Sequence, residues 1–172
     1  MVWVLSLLAA AAVAVAVWLG RRYLEMRGAR LVECPETKAP AAVALEAGPA
    51  TLGGPLALAS CSRWPERQSC GRECLAEIAR APRDCLVRTV VTGWYAGKRC
   101  AVCQTPLDAI DWYERKPGFV DGAGRARPWQ DVPPGDLPEV LAHDRPICFD
   151  CYVAATFRQG HPEMVTDNPW KP

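Results

Sequence analysis

At 172 residues the chain has room for a membrane segment and one or two small domains. Its formal net charge is +1, and the positive excess sits in Arg21, Arg22, Arg27 and Arg30, which leaves a mildly acidic remainder and argues against a nucleic-acid-binding surface. Nine cysteines among 16 prolines and 13 glycines describe a loop-rich chain in which cross-links or metal supplement a small core.

The first predicted element is a helix. Val2 to Leu19 carries no charge and is interrupted only by Ser6, and at about 1.5 Å per residue it spans about 27 Å, close to a hydrocarbon core. Trp3 and Trp18 stand near its two ends, with Tyr23 just beyond, as an interfacial belt requires. A cleavable signal peptide wants positive charge ahead of its apolar stretch; here the arginines follow it, although Ala14-Val15-Ala16 resembles a cleavage site. The expected arrangement is a single-pass anchor over residues 1–20, in contact with the lipid bilayer of the cell membrane. Its N-terminus lies outside and the remainder in the cytoplasm. A reducing cytoplasm favours metal over structural disulfides; the opposite orientation would make the same cysteines disulfide partners.

A basic juxtamembrane helix is expected over 21–33, breaking at Cys34-Pro35, and a Cys-rich segment over 34–97. Leu31 to Glu33 and AAVALE (41–46) are short β-like runs flanking PETKAP, so a hairpin is expected there. Cys34 sits in a Cys-Pro-Glu-Thr turn that resembles half of a zinc knuckle. ERQSCGRECLAEIARA (66–81) has helical spacing and ends at Pro82. CLVRTVVTGWY (85–95) reads equally as strand or buried helix. From Lys98 the chain shows a Cys knuckle, two strands around LDAIDWY and GFVDG, a Pro-rich loop, a second knuckle and a helix. The tail after His161 is polar and Pro-flanked.

KRCAVCQTPL supplies Cys100 and Cys103, and RPICFDCYVA supplies Cys148 and Cys151. Two Cys-x-x-Cys turns present four thiols, the number a tetrahedral zinc takes. Residues 98 to about 160 therefore resemble a treble-clef or zinc-ribbon-like finger. That resemblance implies Cys100, Cys103, Cys148 and Cys151 as ligands and Zn2+ as the ion, in a module over 98–172. The long insertion between the knuckles departs from compact versions of the finger. Covalent haem would need His after the second pair, where Tyr152 stands. A thioredoxin-like redox pair belongs near a βαβ unit and leaves Cys100 and Cys103 unused.

The remaining cysteines are Cys34, Cys61, Cys70, Cys74 and Cys85. Four of these five form a candidate second zinc site, with Cys70 and Cys74 at i, i+4 on the expected helix. Buried free thiols and an iron–sulfur cluster are the competing readings. His143 and His161 read as loop histidines, and Asp108, Asp111 and Glu114 as a solvated face. No catalytic residue is assigned. The aromatic residues Trp64, Trp94, Tyr95, Trp112, Tyr113 and Trp129 suit either core filling or a partner surface. The expected class is α+β, a transmembrane helix followed by a small zinc-stabilised domain with short hairpins and helices. Its expected role is an interaction or scaffold module with a protein partner; membrane-bound thiol-redox or iron–sulfur electron transfer is the second reading.

Overall fold

The computed structural model describes residues 2–64, 66 and 69–164; the expected polar tail beyond Met164 lies outside them. The chain divides into two compact units between Val90 and Val91. Helices and antiparallel sheets occur in both, in keeping with a mixed helix and sheet class.

In the first unit, α1 runs from Val2 to Met26 and is long and apolar enough to cross a membrane. The most apolar stretch of this helix is not buried within the protein, whereas Met26 at its end joins the core. The helix does not continue through RRYLEMRGAR to Arg30. It stops at Met26, Gly28 takes a left-handed φ of 115°, and Ala29–Glu33 is a strand, β1. The expected hairpin is present: β1 pairs antiparallel with β2 (Pro40–Leu45), Glu33 opposite Pro40 and Ala29 opposite Ala44. β2 pairs in turn with β3 (Leu58–Cys61), and a short α2 (Ala47–Thr51) lies between them in sequence. Alternation puts Ala41, Val43 and Leu45 of β2 inward, against Val32, Leu58, Met26 and Ile78.

Helix α3 is only Cys74–Arg80. Arg72, left-handed at φ 56°, stops the helical pattern from extending back to Glu66, so Cys70 precedes the helix rather than sharing its face with Cys74. Arg30 is wholly buried, not a headgroup-facing cation. Its guanidinium donates to the carbonyls of Glu25 (2.6 Å), Met26 (2.9 Å), Gly28 (3.1 Å) and Pro82 (3.3 Å). It thereby caps the C-terminal carbonyls of α1 where the helix dipole is negative. Glu25 is ion-paired to Arg83 on the same side of this joint.

CLVRTVVTGWY resolves as a helix, α4 (Val87–Tyr95), whose Val91 and Tyr95 are buried one turn apart in the second unit. LDAIDWY forms turns rather than a strand; Asp111 accepts the N–H groups of Tyr113 and Glu114, which holds its carboxyl below the usual range. The sheet instead comprises β4 (Gly118–Val120), β5 (Ala126–Arg127) and β6 (Arg145–Ile147), with β4 central and both pairings antiparallel. Asp121 closes the β4–β5 turn by accepting from Ala123 N (3.0 Å) and Arg125 N (2.9 Å). Helix α5 (Leu137–His143) fills part of the expected Pro-rich loop, and α6 (Phe149–Gly160) follows β6.

Tyr95 is fully buried, and half-buried Trp94, Trp112 and Trp129 surround it. The Tyr95 hydroxyl donates to Gly118 O at 2.5 Å and accepts from Trp129 Nε1 at 2.8 Å. Trp94, Trp112 and Trp129 meet Tyr95 edge to face, with ring centroids 5.0 to 6.5 Å away. Burial pushes the Tyr95 hydroxyl's pKa far up, so it stays a neutral donor. Tyr113, by contrast, is 80% exposed.

Candidate metal centre

The first knuckle is built by its backbone. Cys100 N donates to Thr105 O at 2.9 Å and Gln104 N to Cys100 O at 3.0 Å. Gln104 turns the chain with a left-handed φ of 63°. Arg99 bridges Pro106 below the turn, so the knuckle is the tip of a small hairpin. Ala101 N then donates to Pro146 O of β6 at 2.8 Å, which fastens this tip beside the second pair. That second pair opens α6: Cys148 is the N-cap residue, its sulfur accepting from Cys151 N at 3.5 Å. Cys148 N donates across to Cys100 Sγ at 3.3 Å. A helix N-terminus and backbone N–H donors both favour thiolate over thiol.

The four sulfurs of Cys100, Cys103, Cys148 and Cys151 lie within 4.8 Å of one another, and Cys103 Sγ is 3.7 Å from Cys148 Sγ. Sulfurs about 2.3 Å from a central tetrahedral ion would stand about 3.8 Å apart. The cluster could therefore hold a metal ion, consistent with a zinc-ribbon-like site.

The acidities fit that use. The Thr105 hydroxyl, 3.1 Å from Cys103 Sγ, and the Thr105 N–H hold the Cys103 thiol down to about 6. Burial pushes Cys148 and Cys151 up, and the crowded neighbouring sulfurs push Cys151 further. Sulfurs this close cannot all carry charge unaided. A cation between them removes that conflict, which is the chemical reason the set suits a metal.

Cys100 is fully buried and Cys103 exposed. A groove of about 480 Å³ opens beside Cys103, bordered by Ile110, Arg115, Phe149 and Asp150. At its edge Arg115 Nη2 donates to both carboxylate oxygens of Asp150, each at 2.7 Å. His143 ends α5, and His161 lies 3.5 Å from Glu163; among the described residues neither joins the ligand group.

Sequence reasoning gave Tyr152 only a negative role, as the residue where haem attachment needs His. In the structure its ring packs against Gly118 of β4. A Cβ at Gly118 would drive into that ring and stand 2.9 Å from Arg127 O. The fit of α6 on the sheet depends on this missing side chain. Gly118→Ala is expected to cost about 1–3 kcal/mol and to displace the helix start that carries Cys148 and Cys151. Competition with a chromogenic chelator should then show weaker metal retention than in the parent protein. Unchanged retention would mean the contact does not position the pair.

The five other cysteines are all in the first unit and separate into two groups. Cys34, Cys61, Cys70 and Cys74 border one cavity. Cys85 instead lies 3.5 Å from Ala81 O and interacts with Arg30. Comparison of the chain with known protein families, with curated proteins and with solved structures finds no match.

Proposed function

We propose that the protein is a single-pass, membrane-anchored zinc protein whose metal is structural and whose role is to present an interaction or scaffold surface. The observation that carries this reading is the closed donor set: four sulfurs around one point leave no position for water or substrate. A catalytic zinc ordinarily keeps such a position open. The apolar length of α1 supports anchorage, and Arg21, Arg22 and Arg27 after it support a cytoplasmic location for the following units. The groove beside Cys103 offers a protein partner both apolar surface and charge.

Cobalt in place of zinc tests the structural role. The expected spectrum is that of a four-thiolate centre, unmoved by added azide or imidazole. A shift of the ligand-field bands would reveal an open coordination position and overturn the reading. A brown protein containing iron and sulfide would favour the electron-transfer alternative instead.

A further inference from the structure

The first unit contains a second copy of the knuckle that holds Cys100. Cys34 N donates to Ala39 O at 2.9 Å and Lys38 N to Cys34 O at 2.8 Å. These are the hydrogen bonds that Cys100 N and Gln104 N make, at the same separations along the chain. The fifth residue is again left-handed and again not glycine: Lys38 has φ 54°, against 63° for Gln104. Such a conformation costs about 1–2 kcal/mol in a residue with a Cβ, so its recurrence marks a turn held for a purpose. The two knuckles differ where the second cysteine would stand, which is Thr37 here.

A knuckle with one thiol needs three more from elsewhere, and the fold supplies three. Cys61 ends β3, opposite Val43 of β2. Cys70 precedes the left-handed Arg72, and Cys74 begins α3. Gly71 N donates to Glu36 Oε1 at 3.2 Å, which ties the Cys70–Cys74 loop to the knuckle loop. Cys34, Cys61, Cys70 and Cys74 border a single cavity of about 30 Å³, enough for one water-sized occupant. Burial first, and then the proximity of Cys61, Cys70 and Cys34, pushes the Cys74 thiol up. Among the described residues, only the sulfurs of the first centre all lie within 4.8 Å of one another; these four stand wider around their cavity.

We propose that Cys34, Cys61, Cys70 and Cys74 form a second four-thiolate site, which closes around a zinc ion placed in that cavity. Cys85 takes no part, because it is bound into the Arg30 joint.

The test is metal analysis of the full chain in detergent, beside thiol footprinting. The parent protein should carry two zinc ions. Cys61→Ser and Cys34→Ser should each lose one and keep the other, whereas Cys148→Ser should lose the opposite one and Cys85→Ser neither. Because a ligand variant can fail to fold, alkylation followed by mass spectrometry is done on the parent protein as well. Cys34, Cys61, Cys70 and Cys74 should resist alkylation with zinc bound and react after chelation. One zinc per chain with these four thiols freely reactive would overturn the proposal. So would protection released by a reductant rather than a chelator, or iron with sulfide in place of zinc. Loss of metal from Cys148→Ser alone would leave the first centre standing and refute only the second.

Discussion

Replacing Cys148 by Ser is expected to remove one equivalent of zinc from the protein and to unfold the unit that begins at Val91. The sheet there consists of strands of three, two and three residues, too short to hold together without help. Structural zinc contributes about 10–16 kcal/mol in finger peptides, comparable to the about 5–15 kcal/mol that separates most folded domains from their unfolded chains. Loss of one ligand therefore removes most of what keeps the second unit folded. Near-UV circular dichroism reads the outcome, because Trp94, Trp112 and Trp129 lie edge-on to Tyr95 in this unit's core. Those bands should collapse, while the far-UV signal of α1 persists. Acid should act in the same direction. Cys148 and Cys151 hold protons more tightly than ordinary thiols, so the metal must displace them, and occupancy falls as pH falls. Intact near-UV bands in a metal-free Cys148→Ser protein would show that the metal does not support the fold.

The second large effect is expected at Arg30. Arg30→Met keeps the volume but leaves four carbonyls, those of Glu25, Met26, Gly28 and Pro82, without their donor. Leaving a buried acceptor without its donor costs about 1–3 kcal/mol, because the desolvated group stays behind. Arg30→Lys should recover only part of the loss, since an ammonium cannot fork to carbonyls on several sides. Denaturant unfolding in detergent measures both variants. A change below about 0.5 kcal/mol for Arg30→Met would mean that water replaces the guanidinium without penalty.

Much of this arrangement was legible in the sequence because it follows from local patterns. An uncharged, almost wholly apolar run before an arginine pair specifies α1, and β-like runs around PETKAP specify the β1–β2 hairpin. The matching Cys-x-x-Cys pairs bring Cys100, Cys103, Cys148 and Cys151 together as expected, and Cys34 does sit in a knuckle. What escaped depends on contacts distant in sequence. A juxtamembrane arginine has the same appearance whether it meets headgroups or, like Arg30, turns inward to cap a helix. Helical spacing from Glu66 onward gave no hint that Arg72 would adopt a left-handed conformation and delay α3 to Cys74. LDAIDWY alternates well enough for a strand, but Asp111 captures the backbone N–H groups that a ladder would need. Strand β6 is too short to show any period, and its place beside β4 is decided by tertiary pairing. The division of the five remaining cysteines into four around a cavity and one beside Arg30 is also a matter of three-dimensional placement alone.

The unequal exposure of the two cysteines in the first knuckle would decide how a metal-loaded cluster ages. Cys100 is sealed within the protein, whereas Cys103 faces solvent with its thiol held down to about 6 by the Thr105 hydroxyl and N–H. Oxidants and alkylating agents would therefore meet this cluster first at Cys103, ahead of the half-buried Cys148 and Cys151. With a metal bound, damage is expected to begin at Cys103 and to open that side of the cluster. The lifetime of a metal-supported fold would in that sense follow one corner of its site.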